Sequence, residues 1–510
     1  MSGLNAPSPD PDSPRDRELA TDHLTQDIGR RSRRGGIVLL GAQVLRVLGQ
    51  MATLVILARL LPPEAFGLLA MVAAIGLVLD LVKEFGLSSA TIQRNDLTHA
   101  QVSALFWVNA GIGVVLAGLL FFAAPWIAGF YGQPELEGIA RWLAVGFAAS
   151  GLTVQHWALL RRQMRFGAIA GMETTADLAS FAAAIALAAA GWGYWALVVQ
   201  RLVPPLLLLV ASWSFCRWRP ARPARAGGVR SLLGFGAGVT GSQLSLAFAR
   251  SVDQILIGWL WGPAVLGLYE RTTRLLLVPI NSINAPVYAT AMPALSRLLD
   301  QPARYRSLFS QVMQKLGLLT MPAFALAAVT ADWVVEILFG PSWRQAIPLV
   351  ALFSVSAIFL PVLMACFLLF LTQARTGDML RATLIDSGIT IAAIVAGLPW
   401  GVVGVAAALA TVGIVVRTPL AFWLAARRGP VGVGAVWRAI APPATIALAI
   451  ALAVGSLRTV TPDPTPAAMA LVAATALAIA LGGLLAWPET RREVRQLLSG
   501  GGLSFGVATR

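Results

Sequence analysis

Charged side chains are scarce in this chain. Asp, Glu, Lys and Arg make up 12% of its 510 residues, against roughly 25% in soluble domains. Lysine is almost missing, at Lys83 and Lys315 alone, so no Gly-Lys-Ser/Thr phosphate loop exists and no ATP site of that type is expected. The two cysteines, Cys216 and Cys366, fit neither a disulfide framework nor a thiolate metal set. His23, His99 and His156 have no second ligand at metal-binding spacing. On these grounds no metal, no cofactor and no catalytic residue is expected. Residues 1–35 are rich in Pro, Asp and Arg with no apolar core among them, which argues against a cleavable leader and for a disordered tail.

What the chain has instead is apolar length. Hydrophobic residues reach 57%, and the mean hydropathy is +0.73. Crossing a hydrocarbon core of about 30 Å takes roughly 20 apolar residues in a helix. Cut that way, the sequence yields about fourteen spans, near 36–58, 66–82, 102–126, 138–159, 168–190, 194–216, 231–258, 265–291, 312–330, 346–372, 378–398, 400–424, 439–457 and 467–487. The interruptions are turn-formers such as Pro62-Pro63-Glu64, Tyr131-Gly132-Gln133-Pro134, Gly191-Trp192-Gly193 and Gly262-Pro263. The fold class expected is an all-α polytopic membrane protein.

The net charge of +15 and pI near 11.2 would suggest nucleic acid in a soluble protein. In a membrane protein they follow from basic cytoplasmic loops, so no nucleic-acid partner is expected. With the N-terminus inside, the cytoplasmic loops carry Arg161, Arg162 and Arg165, then Arg217, Arg219 and Arg222, then Arg427, Arg428 and Arg438. The other side holds only Arg59, Arg141, Arg344 and Arg458. The asymmetry places both termini in the cytoplasm. The outward loops are short, leaving no extramembrane domain to house an active site.

An ungapped offset of 200 residues superposes the first span on the seventh. Gly41 falls on Gly241, Gln43 on Gln243, Leu60 on Leu260, Pro63 on Pro263, Gly67 on Gly267 and Leu68 on Leu268. Six crossings separate the copies, so they share one orientation, as parallel transporter repeats do. The organisation expected is a tail over 1–35, an N-lobe of six helices over 36–226, a C-lobe of six over 227–430, and two further helices with a cytoplasmic tail over 431–510.

Charges inside spans cost about 2.5–3.5 kcal/mol each near the bilayer centre, so they call for partners or a wet cavity. Arg46, Arg201, Arg250, Arg271 and Arg274 lie at mid to outer depth, where only Asp253 and Glu270 offset them. Guanidinium suits bidentate phosphate recognition. These five are therefore the candidate ligands for a phosphate-bearing anion. Asp80, Glu173, Asp177 and Asp386 sit in the inner half with Arg417. For Glu173, Asp177, Asp253, Glu270 and Asp386 two roles stay open: ion coupling, or pairing that only holds helices in register. Prolines at Pro279, Pro286 and Pro293 suggest a helix that kinks beside the charged face.

Several motifs then point to a family. They are Arg59-Leu60-Leu61-Pro62-Pro63-Glu64-Ala65-Phe66-Gly67, Phe85-Gly86-Leu87 with Ile92-Gln93-Arg94, and Leu160-Arg161-Arg162-Gln163-Met164-Arg165-Phe166. Gly191-Trp192-Gly193-Tyr194-Trp195-Ala196-Leu197, Val252-Asp253, Gly267-Leu268-Tyr269 and Pro293-Ala294-Leu295-Ser296 complete the set. Over roughly residues 30–430 the chain resembles the polysaccharide transporters of the multidrug/oligosaccharidyl-lipid/polysaccharide exporter superfamily. The resemblance implies two six-helix lobes around a central cavity, with two added helices, working by alternating access in the bacterial inner membrane. It implies a non-enzymatic flippase for polyprenyl-diphosphate-linked oligosaccharide in lipopolysaccharide or exopolysaccharide synthesis. Implied partners are that glycan, membrane lipid, and polymerase and export machinery. By position, Arg46 with Arg271 or Arg274 match the cavity arginines of related lipid-precursor flippases, whereas the second span has only Asp80. The alternatives are a membrane glycosyltransferase or polymerase on the same lipid-linked sugars, and a drug/cation antiporter of the same fold.

Overall fold

The computed structural model describes residues 28–84, 91, 98–222 and 229–487, with backbone alone for 28–40, 81–84 and 229–250. Residues 1–27, Arg94 and the C-terminal tail from 488 lie outside the described residues, as does the side chain of Arg250. Every regular element among the described residues is helical. The chain divides into two compact units, Met1–Gly267 and Leu268–Arg510.

In the first unit the helices are α1 (Ile28–Leu60), α2 (Pro63–Glu84), α3 (His99–Tyr131), α4 (Glu135–Arg162), α5 (Phe166–Ala189) and α6 (Trp195–Phe215). The long helix α7 (Val229–Ser296) passes from it into the second unit. There follow α8 (Pro302–Val329), α9 (Ala331–Leu338), α10 (Ile347–Ala357), α11 (Leu360–Thr372), α12 (Thr376–Gly397) and α13 (Gly401–Val412). A π turn (Gly413–Arg417), α14 (Thr418–Ala426), α15 (Val433–Arg458) and α16 (Pro466–Ala486) complete the chain. α1 starts at Ile28 rather than near 36, so the basic cluster Arg30 to Arg34 lies on its first turns. Arginine is a good helix former, and the last proline of the tail is Pro14.

Local chemistry sets the helix ends. Thr98 caps α3 by accepting from the Gln101 N–H at 3.3 Å, while the Gln101 side chain accepts from the Thr98 N–H at 3.2 Å. Gly132 closes the same helix in the left-handed conformation, φ 65°. α3 and α4 then pack with their backbones nearly touching. A Cβ on Gly113 would lie 2.8 Å from the Gly151 Cα, so these glycines serve helix contact and not phosphate binding.

Among the described residues 12 segments are long and apolar enough to cross a membrane, where the sequence suggested about fourteen. Two of them, Ser251–Ser296 with 46 residues and Thr376–Ala426 with 51, exceed one crossing. In the first, a Cβ on Gly258 would sit 3.1 Å from the Leu266 side chain. Eight positions of straight helix span about 12 Å, so the chain turns back at Gly262, φ 78°. In the second, Gly397 packs against Val405, again across a turn, with Gly401 at φ 73°. Pro279, Pro286 and Pro293 leave the helix intact: Gly262 is its one non-helical residue. The Ser282 hydroxyl donates to the Val278 carbonyl at 2.7 Å and that of Thr290 to the Pro286 carbonyl at 2.9 Å, so polar side chains serve this proline-bearing stretch.

The repeat recurs in the turns, with a drifting register. Met164 and Ala374, 210 positions apart, share φ values of 54° and 53°. Around them the same bonds recur: Met164 N–H to Arg161 O and Arg165 N–H to Leu160 O, then Ala374 N–H to Leu371 O and Arg375 N–H to Phe370 O. Gly132 and Gly340, and Gly193 and Gly401, are positive-φ pairs 208 apart. Near the start of each copy, a Cβ on Gly67 would collide with the Pro263 carbonyl, and one on Gly267 with the Pro63 carbonyl. Equivalent residues thus contact each other reciprocally, the signature of a local two-fold relation.

Candidate functional site

The charged residues expected inside spans gather in three clusters. In the first unit, Arg46 on α1 bridges to Glu173 and Asp177, which stand one turn apart on α5. Its Nε lies 2.8 Å from Asp177, and its Nη1 donates to Glu173. Two carboxylates against one guanidinium leave this cluster one negative charge in excess. Arg46 is a candidate phosphate ligand by type and depth, yet here its donors face carboxylates. An anion would have to displace them.

The second cluster has the opposite sign. Just after the Gly262 turn, Glu270 is flanked by Arg271 and Arg274 on α7. Arg274 Nε lies 2.8 Å from one oxygen of Glu270 and Arg271 Nε lies 3.8 Å from the other. Arg271 is buried, with 6% of its surface exposed. The Arg274 side chain keeps 46% of its surface. Among these three residues the balance is one positive charge. The Glu270–Arg274 contact is the i,i+4 pair that the spacing allowed, formed within one helix.

The third cluster is neutral. Arg417, at the end of the π turn, donates from Nε to Asp386 Oδ1 at 2.7 Å and from Nη2 to Oδ2 at 2.9 Å. A two-bond fork of this kind is the strong form of the interaction. The π turn adds a residue to the helical circuit and so alters where Arg417 points.

Of the remaining candidates, Arg201 on α6 is exposed and Asp253 on α7 is half-buried. An Asp253 carboxylate oxygen accepts from the backbone N–H of Gln254 at 2.8 Å. Asp80 on α2 is half-buried as well. Among the described residues no group of three or more His, Cys, Asp or Glu side chains is placed to hold a metal.

Sequence reasoning missed a polar core in the first unit. Asn109 donates to Gln155 at 3.4 Å, Gln155 to the Thr91 hydroxyl at 3.1 Å, and Arg162 to the Thr91 carbonyl at 3.0 Å. All four residues are buried. The sequence puts Arg162 in a basic cytoplasmic loop, whereas its side chain lies in this core. Of its neighbours, Arg161 is exposed, while the half-buried Arg165 donates to the Phe215 carbonyl at 2.9 Å. His156 is also fully buried, its ring stacked on Trp213 at 4.5 Å and edge-on to Phe106 at 5.8 Å and Trp218 at 5.4 Å.

With this geometry in place, solved structures give the class. The chain superposes on "Lipid II flippase MurJ, inward closed conformation" with a TM-score of 0.66 at 12% identity, over 91% of this chain and 99% of that one. It also superposes on a MATE family multidrug transporter of the MOP superfamily in its inward-facing conformation. There the TM-score is 0.59 at 13% identity, over 81% of this chain and 98% of the other. The protein therefore has the polytopic helical fold of these membrane transporters. The chain belongs to the polysaccharide biosynthesis protein family, whose model matches residues 56–348.

Relatives carry names of the same kind. The Escherichia coli (strain K12) lipopolysaccharide biosynthesis protein WzxC is 24% identical over 348 residues, 67% of this chain and 70% of its own. The Bacillus subtilis (strain 168) teichuronic acid biosynthesis protein TuaB is 27% identical over 292 residues, 55% of this chain. The succinoglycan biosynthesis transport protein ExoT of Rhizobium meliloti (strain 1021) is 27% identical over 306 residues, 60% of this chain. The matches span 58% of TuaB and 62% of ExoT.

Proposed function

We propose that this protein is a flippase, with no covalent chemistry of its own. It carries a polyprenyl-diphosphate-linked oligosaccharide from the cytoplasmic to the periplasmic leaflet of a bacterial inner membrane, for lipopolysaccharide or exopolysaccharide synthesis. The basic loops on one side support an orientation with both termini cytoplasmic. Its product would pass to a polysaccharide polymerase and export machinery.

The observation that carries this reading is the Glu270, Arg271 and Arg274 cluster. Two guanidinium groups share one carboxylate on a membrane-embedded helix, and one of them is half exposed. A diphosphate would bring negative charge to the half-exposed Arg274 and accept forked hydrogen bonds from it. Arg201 and Arg250 join the reading by depth alone. Arg46 would enter the diphosphate contact only after leaving Glu173 and Asp177. The negative excess of that triad supports giving Glu173 and Asp177 the coupling-ion role, with Asp253, Glu270 and Asp386 pairing with neighbours.

The test is translocation of labelled lipid-linked oligosaccharide in reconstituted vesicles. Removing Arg274 deletes a charge-assisted hydrogen bond of about 1.5–3 kcal/mol, so Arg274→Ala should slow transport by on the order of tenfold or more. Translocation at the wild-type rate in both Arg274→Ala and Arg271→Ala would refute the assignment.

A further inference from the structure

A shallow apolar cleft lies in the second unit between α11, α12 and the π turn with α14. Each wall is one helix face: Leu363 to Phe370, Ala382 to Ile389, and Arg417 to Leu424, with lining side chains at i, i+3, i+4 and i+7. Seven residues of rise make the cleft about 10 Å long. One end is closed by the neutral Arg417–Asp386 fork. Ile385 on the α12 wall is exposed, as are its neighbours Leu380 and Leu384, so the cleft borders a surface that acyl chains cover.

The other end is basic. Arg375 stacks over the Phe370 ring at 5.2 Å and donates to the Leu424, Ala425 and Arg428 carbonyls at 3.4, 2.9 and 2.8 Å. It thereby ties the cleft to the end of α14. Asp378 lies 3.0 Å from Arg375, 3.4 Å from Arg428 and 3.9 Å from Arg427. Three guanidinium groups on one carboxylate leave two positive charges in excess. Arg375 and Asp378 are largely enclosed, whereas the Arg428 side chain is 64% exposed and Arg427 covers the exposed ring of Trp423 at 5.0 Å. The equivalent turn of the first repeat has Arg165 but Ala168 where Asp378 stands, so this cluster belongs to the second copy alone.

We propose that this cleft seats the headgroup-proximal stretch of one acyl chain of a resident anionic phospholipid whose phosphate rests on Arg427 and Arg428. The cluster lies on the side with the basic loops, where anionic headgroups gather and basic pockets between helices retain them. Trp423, beside the cluster, is suited to the headgroup level. The site uses none of the residues assigned to the oligosaccharide diphosphate.

The test is native mass spectrometry of the full chain from mixed detergent micelles, offering phosphatidylglycerol, phosphatidylcholine and polyprenyl diphosphate in turn. Wild type should retain phosphatidylglycerol at least tenfold more than phosphatidylcholine. The double variant Arg427→Glu with Arg428→Glu should lose that preference, and Arg427→Lys with Arg428→Lys should keep most of it. Ala421→Phe, which fills the cleft without touching a charge, should lower phosphatidylglycerol retention as well. Unchanged circular dichroism would confirm that the variants fold. Equal retention of phosphatidylglycerol by wild type and the Glu double variant overturns the proposal. So does a Glu double variant that loses polyprenyl diphosphate while keeping phosphatidylglycerol.

Discussion

Arg417 and Asp386 show how a membrane span carries charge without a functional excess. Their two forked hydrogen bonds satisfy both groups, so the pair is neutral. Breaking a buried pair costs about 3–5 kcal/mol. A third of the Asp386 side chain is exposed. Screening there reduces the expected loss for Arg417→Ala to about 1–3 kcal/mol. A thermal melt in detergent would register it, and Arg417→Leu combined with Asp386→Leu should recover most of the loss. The triad of Arg46, Glu173 and Asp177 behaves differently because its acids outnumber its base. On the proposed coupling role, Glu173→Gln with Asp177→Asn should weaken the dependence of transport on an ion gradient more than it weakens helix packing. Transport at several imposed gradients, set beside melting midpoints, separates the two effects. The sequence revealed that these charges lie inside spans, because an Arg among twenty apolar residues stands out. It also made Glu270–Arg274 legible, since four residues of helix bring side chains together. It could not join Arg46 to Glu173, 127 positions away, because no local spacing rule couples residues on different helices. The buried role of Arg162 was hidden for a similar reason: its acceptor is a backbone carbonyl at Thr91.

At the scale of helices and turns, the internal repeat is a matter of backbone conformation. Met164 and Ala374 occupy the left-handed region, which costs an L-residue about 1–2 kcal/mol relative to glycine. Met164→Gly and Ala374→Gly should each raise stability by up to about 1 kcal/mol after the entropy of the unfolded chain is subtracted. A lower melting midpoint in both would argue against the shared turn. The reciprocal contacts of Gly67 and Gly267 make the reverse demand, since a methyl group at either would strike a backbone carbonyl. Gly67→Ala and Gly267→Ala should each destabilise. Their double variant should lose less than the two losses combined, because both act on one contact. The helices themselves were legible from apolar length, and their ends from turn-formers such as Tyr131-Gly132-Gln133-Pro134. The full extent of the repeat was not. An ungapped offset of 200 finds Pro63 and Pro263 but misses the turns 208 and 210 apart, where insertions have shifted the register. The breaks at Gly262-Pro263 and between residues 398 and 400 were legible too, and there the chain reverses within a few residues.

For the whole molecule, the proposed transport function can be weighed against its alternatives by the charges the structure brings together. A glycosyltransferase on the same lipids would need acids held toward a water-filled site. The acids placed within spans by this structure instead mostly face guanidinium partners, as Glu173, Asp177, Glu270 and Asp386 do. A cationic drug would meet a positive cluster at Glu270, Arg271 and Arg274, and like charge repels it. A phosphorylated lipid fits that cluster better than either. The most direct measurement is the rate at which vesicles containing the purified protein move a labelled polyprenyl-diphosphate oligosaccharide between leaflets, for wild type, Arg274→Ala and Arg274→Lys. The account predicts transport by wild type, a loss of about tenfold or more in Arg274→Ala, and partial recovery in Arg274→Lys, which restores the charge but not the fork. No transport by folded wild-type protein, or equal rates in all three, would contradict it.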